Sequence, residues 1–432
     1  MNLNIRKKAM AAGLSALLLM TGCAGKTPAD PGASKTDPAV KTELKLDRVA
    51  DQKFDEKKLS DEYGRYCFDI MKQISENAEK NGNIMISPAS IMMALDMCAA
   101  GAKGETLKQL SDLFAKDTDP LEQQAFASEM MKRINNSQKI KFNCANAVWS
   151  NEAFMKGRIN PAYTDYIQKT FGAEFNTTQF DSTTHEKINK WVDGKTNHMI
   201  PKLLDDPLSP DVVMVLVNAI RFEAQWAKGY QDSQVRKDKF RGIDGETEAD
   251  MLSSNEEIYF QSDKATGFLK YYEGEEYAFV AILPADKNAN ANDFMKNFSY
   301  DDYRKFISSY TEAKVITRMP EFKSDYGREL NDIVNKLGVT DAFDKNKADF
   351  SGIADTKDGR FYISKIIHKT HIEVDRKGTK AAAATAVTVK TESVAEPRDE
   401  VRQVICDRPY CYAIIDTATM NPVFIGTVNT VK

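Results

Sequence analysis

Histidine is scarce in this chain, at four of 432 residues, and cysteine is little commoner at six. No CxxC pair and no His/Cys cluster stands at zinc spacing, which excludes a structural zinc site. Nucleophile elbows (GxSxG), phosphate loops (GxxxxGKS/T), HExxH helices and EF-hand loops are also missing. His368 and His371 are three apart in the β-branched run Lys365–Val374, which reads as a strand. Odd spacing on a strand sends the two rings to opposite faces and argues against a shared metal. Acidic pairs are plentiful, but none stands out from a solvated surface. No active site is legible, and no cofactor or metal is expected.

Basic runs are lacking too. The chain has 59 Lys and Arg against 63 Asp and Glu. A mildly acidic protein without a dense basic stripe is a poor match for a phosphate backbone, so nucleic acid is not an expected partner. Long apolar runs are confined to the N-terminus. There Arg6, Lys7 and Lys8 precede an apolar stretch over residues 9–20, too short to span a bilayer and of signal-peptide form. It ends in Leu19-Met20-Thr21-Gly22-Cys23, similar to a bacterial lipobox, so residues 1–22 read as a lipoprotein signal peptide and Cys23 as the lipidation site. Several acyl chains hold a protein on a membrane far better than one. The expected location is the bacterial cell envelope, lipid-anchored on the outer membrane or cell surface.

Residues 23–58 contain Pro28, Pro31 and Pro38 among many Lys, Asp and Thr. They read as a flexible tether, because they offer too little apolar surface to fold. The folded domain is expected over 59–432. Its cysteines are Cys67, Cys98, Cys144, Cys406 and Cys411; five is an odd number for a disulfide framework, so buried thiols are expected, with a single bridge left open.

Helical periodicity runs over 59–80, with Tyr66, Ile70 and Ile74 on one face. Ser87-Pro88 is a helix start, and Gly101 a plausible stop. Short β runs dominate later, at 212–217, 277–283 and 361–367. Helices first and strands later give an α+β class.

Ordered motifs then narrow the reading. They comprise Asn83-Ile84-Met85-Ile86-Ser87-Pro88-Ala89-Ser90, Gly101-Ala102-Lys103-Gly104-Glu105-Thr106, Ala145-Asn146-Ala147-Val148-Trp149 and Ile188-Asn189-Lys190-Trp191-Val192. Val217-Asn218-Ala219-Ile220-Arg221-Phe222, Gly378-Thr379-Lys380-Ala381-Ala382-Ala383-Ala384-Thr385 and Asp407-Arg408-Pro409-Tyr410 follow. In this order the chain resembles a serpin, a member of the serine protease inhibitor superfamily. The resemblance implies a large mixed central sheet with two further sheets, about eight to nine helices, and an exposed reactive-centre loop over roughly 376–400. It also implies an inhibitor and not an enzyme. Ser87, Ser90, Asn218 and His368 match the family's shutter, a polar network under the strands that open, and Trp226 matches the breach where opening begins. Arg376 departs from the family, which usually has Glu there, and puts any ion pair at that point in doubt.

Residues 379–392 carry the mechanism that the resemblance implies. Thr379, Ala381, Ala383, Thr385, Val387, Val389 and Thr391 occupy one parity; every charge, Lys380, Lys390 and Glu392, occupies the other. That is a strand pattern with one buried face, although Ala381 to Ala384 intrinsically favours helix. A serpin loop is cut by its protease, forms an acyl-enzyme and inserts as a new central strand. Gly378, Thr379, Ala381, Ala382, Ala383, Ala384 and Thr385 would form the hinge. The expected scissile bond is Lys390–Thr391, suited to trypsin-like pockets; Val389–Lys390 suits elastase-like ones, and family counting gives Glu392–Ser393.

The expectation is a monomeric, broad-spectrum suicide inhibitor of extracellular serine, and also cysteine, endopeptidases, which it captures as covalent complexes. The alternative is a non-inhibitory serpin that acts as a carrier or scaffold.

Overall fold

A computed structural model describes residues 43–137, 139–356, 361–379 and 401–431. The expected signal segment, Cys23 and the first part of the expected tether lie outside them. Nine α-helices and three sheets occur among the described residues, the α+β class expected. No helix there is long and apolar enough to cross a membrane.

The central sheet is built from β1 (Ile140–Asn151), β2 (Glu174–Thr178), β3 (Met214–Gln225), β4 (Phe322–Glu329), β5 (Lys365–Val374) and β6 (Gly378–Thr379). Their spatial order is β4-β5-β6-β3-β1-β2, with β3 and β5 also paired directly. The sheet is mixed: β3 runs parallel to β5, while β1 and β6 run antiparallel to β3. A nine-stranded sheet and a two-stranded pair, Met155–Ile159 with Ala354–Thr356, complete the β structure.

Strand β3 is buried along nearly its whole length because both of its faces are covered. On one face Val215, Val217 and Ala219 pack with Ala145 and Ala147 of β1 against Ile188 and Val192 of the Thr184–Lys195 helix. The alternate residues, Asn218 among them, face the helix Pro88–Gly101. Ser87 caps that helix by accepting the Ser90 N–H on its Oγ at 3.2 Å, and Pro88 occupies its first turn. Every residue of the helix is buried, as its almost wholly apolar sequence requires. It ends at Gly101, as the sequence suggests. The reason is packing: a Cβ there would stand 2.2 Å from Ile353 Cγ1.

Residues 43–58, expected as part of a flexible tether, are structured and packed. Glu43 bridges to Lys103 and forms a 3.0 Å ion pair with it, and Leu46–Asp51 makes a 3-10 helix with Val49 buried. The Phe54 ring meets Phe126 edge-on at 5.8 Å. Asp55 caps a helix over Glu56–Glu76, so the helix begins before residue 59. Two apolar side chains and one cap suffice to dock residues 43–58, where average composition reads as linker.

A chain begun at Lys58 loses the Asp55 cap and the Val49 and Phe54 contacts. Those terms sum to roughly 2–4 kcal/mol, so its denaturant midpoint is expected to fall below that of a chain begun at Glu43, which keeps all three.

Candidate functional site

Strands β3 and β5 pair directly over seven register positions, from Lys365↔Val215 to His371↔Arg221. Past that point they diverge, and β6 occupies the gap. Gly378 and Thr379 pair antiparallel with Gln225 and Ala224 on one side, and Thr379 with Val374 on the other. The central sheet therefore has a seam, closed below and already wedged above by two residues of the next segment.

The turn that feeds the wedge is held by one side chain. Asp375 Oδ1 accepts the N–H groups of Lys377 (2.7 Å) and Gly378 (3.0 Å), an Asx-type turn that folds the chain back from β5. Gly378 is required by close approach, since a Cβ would stand 2.1 Å from the Ala224 carbonyl oxygen. Thr379 is fully buried, and its Oγ1 shares a 2.7 Å hydrogen bond with Tyr272 Oη. The first residue of the buried parity thus points inward. Ala381, Ala382, Ala383, Ala384, Thr385, Val389, Lys390, Thr391, Glu392 and Ser393 lie outside the described residues.

Trp226 closes the upper end of the seam. Its ring stacks on Tyr272 at 4.5 Å and its Nε1 donates to the Asp375 carbonyl at 2.8 Å, so the end of β3 is joined to Tyr272 and to the turn. Lys270, almost wholly buried, sits 4.4 Å from the Tyr230 ring and 5.6 Å from that of Trp226, and pairs with Glu256 at 2.8 Å. Burial lowers the pKa of its ammonium, and Glu256 opposes that shift. Tyr272, Glu256 and Lys270 carry no sequence signal that marks them.

Arg376 has an ion-pair partner after all. Its Nε donates to Glu321 Oε1 at 2.9 Å, and its backbone N–H reaches the same oxygen at 3.1 Å. Glu321 immediately precedes β4, so the pair ties the turn to the sheet edge. Hydrogen bonding to Glu321 raises the guanidinium pKa above its ordinary value. An acid at 321 compensates for the base at 376, a link across 55 residues that a local motif does not reveal.

Beneath the closed part of the seam, Ser87, Ser90, Asn218 and His368 form one network. Asn146, Asn218 and His368 lie in a row across β1, β3 and β5. His368 Nε2 accepts the Ser87 N–H at 3.3 Å, which leaves Nδ1 to donate to Asn218 Oδ1 at 2.5 Å. Asn218 Nδ2 donates to Asn146 Oδ1 (2.7 Å) and to Ser90 Oγ (2.5 Å), and Ser87 Oγ donates to the Val423 carbonyl (2.9 Å). Every polar atom of the His368 ring is used in the neutral form. Burial holds its pKa down at about 3. Asn146 completes the row, and its position among small residues in Ala145-Asn146-Ala147 is the sequence signal that could have found it.

His371 lies on the opposite face from His368, as odd spacing requires. No metal-binding group of three His, Cys, Asp or Glu occurs among the described residues. Cys67, Cys98, Cys406 and Cys411 are buried free thiols, and burial raises the pKa of each.

Two outcomes follow from this geometry. Arg376→Glu is expected to cost about 1 kcal/mol and Glu321→Arg to restore it in the double variant, a coupling read by a double-mutant cycle of unfolding midpoints. His368 is neutral when folded and titrates near 6.5 when unfolded, so its contribution is complete above pH 6.5 and is lost as pH falls toward 3. The expected loss is up to about 1.4 kcal/mol per pH unit. His368→Gln, whatever its absolute stability, should lack that slope in pH-dependent unfolding.

A family model described as Serpin (serine protease inhibitor) matches residues 61–431. Iripin-5 of Ixodes ricinus is 31% identical over 379 residues, which span 84% of this chain and 93% of that protein. Leukocyte elastase inhibitor A of Mus musculus is 30% identical over 377 residues, 84% of this chain and 97% of the other. Tengpin, a thermophilic serpin, superposes in its native state with a TM-score of 0.78 at 34% identity, covering 91% of this chain and 100% of that one. Its latent state gives 0.73, covering 88% and 100%. The matched span contains every residue of the seam, its wedge and its polar row, and the chain belongs to the serpin, or serine protease inhibitor, family.

Proposed function

We propose that the chain is an irreversible suicide-substrate inhibitor of extracellular serine endopeptidases, with cysteine endopeptidases as further targets. One observation carries the reading: Gly378–Thr379 is already paired antiparallel between β3 and β5, with Thr379 buried. Continuing that strand down the seam places residues 381, 383 and 385 on the buried face. All three are small, so they can pass between existing strands without a clash.

The energetics agree in direction. Twelve residues from Thr379 to Lys390 extend about 40 Å as a strand. A dozen ladder hydrogen bonds at roughly 1 kcal/mol net each give on the order of 10 kcal/mol, comparable to the stability of a whole domain. The uncut state is then metastable and kept by a kinetic barrier. A protease acylated at the cut end is carried with the strand, its oxyanion hole and catalytic groups lose alignment, and deacylation stops. That a relative at 34% identity exists in native and latent states supports two folded arrangements for one sequence of this kind.

Lys390–Thr391 is the proposed reactive bond, with Val389–Lys390 and Glu392–Ser393 as neighbours that broaden the target range from trypsin-like to elastase-like. The relative named leukocyte elastase inhibitor A supports the latter. Cys23 anchors the protein by lipid to the bacterial envelope, and the inhibitor works as a monomer.

Trypsin tests the reading. An SDS-resistant adduct is expected, with a C-terminal peptide beginning at Thr391 by mass spectrometry. Clean cleavage without adduct would identify a non-inhibitory carrier or scaffold instead. Thr379→Arg puts a charge where a hydroxyl meets Tyr272; it is expected to convert the inhibitor into a substrate, with adduct yield falling at least tenfold.

A further inference from the structure

The sheet face opposite the polar row carries a charged cluster just below the wedge. Arg221 of β3 and His371 of β5 are register partners, the last of the seven direct pairs. Arg221 is 5% exposed. Its Nη1 donates to the Thr196 carbonyl at 3.4 Å, beyond the Thr184–Lys195 helix, it forms an ion pair with Glu223, and its Nε has no partner. His371 is 8% exposed. Its Nδ1 is 2.6 Å from Asp325 Oδ1 on β4, and its Nε2 is 3.6 Å from Glu373 Oε1 on its own strand, without a hydrogen bond.

The remaining charges on this face are few. Lys323 on β4 pairs with Glu373 at 2.9 Å. Lys369 on β5 donates to the Lys202 carbonyl, and Lys141 on β1 stands opposite Glu223 in register. Glu373 also acts on Arg221 across the seam and supports its charge against burial.

A neutral imidazole donates from one nitrogen only. With Nδ1–H directed at Asp325, the Nε2 lone pair faces a carboxylate oxygen, so the ring is arranged for a second proton. That proton creates a cation directly opposite the Arg221 guanidinium. If β5 parts from β3, Asp325 and Glu373 stay with His371, while Arg221 leaves with β3. The parted sheet therefore holds the proton more tightly than the closed one, and by linkage protonation favours parting. A proton also engages Glu373 with His371 and weakens its attraction for Arg221.

We propose that His371 and Arg221 form a proton-sensitive latch on the central sheet, closed while the ring is neutral and loosened when it takes a second proton. The latch deepens the insertion reading by naming a regulator of the same seam. His368, on the opposite face, also favours parting once protonated, because burial in the closed sheet holds its pKa at about 3, so its slope below pH 6.5 has to be separated from that of the latch. His185 and His198 lie on and just after the Thr184–Lys195 helix, on neither seam strand.

Hydrogen exchange tests the latch in the uncut, full-length protein. Protection factors for amides 217–223 and 366–372, corrected for intrinsic exchange, are expected to fall from pH 7.5 to 5.5 by about tenfold more than His368 alone accounts for. In His371→Gln, which can still donate to Asp325, and independently in Arg221→Gln, that excess should vanish and the His368 slope remain. A wild-type protein that falls no further than the two folded variants overturns the latch. A missing trypsin adduct would count against the inhibitor reading alone, since exchange reads the seam without any protease.

Discussion

Seven parallel pairs between β3 and β5 hold the central sheet shut, and the proposed insertion depends on their being replaceable. Parallel pairing is slightly weaker per residue than antiparallel pairing. The wedge at Gly378–Thr379 already makes the alternative, antiparallel on both sides. Each residue by which the wedge lengthens exchanges one parallel contact for two antiparallel ones. Backbone hydrogen bonding therefore favours the longer strand, and what opposes it is the cost of parting a buried interface.

That cost is concentrated in polar contacts. An all-apolar seam could slide or reseal in several registers, whereas Asn146, Asn218 and His368 fit only when aligned across β1, β3 and β5. Parting the strands breaks the His368–Asn218 hydrogen bond between them, and a buried polar group left without a partner costs about 1–3 kcal/mol. The Ser87 cap does two jobs here. It starts the helix Pro88–Gly101, and its own N–H fixes the His368 tautomer. Helix initiation and sheet closure thus depend on one residue.

Much of this was legible in sequence because it is local. Ser87-Pro88 announces a helix start, the β-branched run around His368 announces a strand, and the parity of 379–392 assigns Thr379 inward, where it lies. Family resemblance singled out Ser87, Ser90, Asn218 and His368, and the structure joins all four in one hydrogen-bond network. What escaped is non-local. Glu321 reaches Arg376 from 55 residues away, and Tyr272 reaches Thr379 from 107. Residues 43–58 escaped for another reason: composition averages over a window, whereas Val49, Phe54 and Asp55 act as single side chains.

The Asx turn at Asp375 fixes one end of the wedge, which gives any lengthening a polarity. Growth can proceed only downward, one residue after another, as a zipper closes from its stop. Distance travelled then depends on how much chain lies between the turn and a break, so the position of a cut sets the stroke. A break too near the turn would leave the slider stranded high in the sheet, with the lower teeth still engaged in their original mesh.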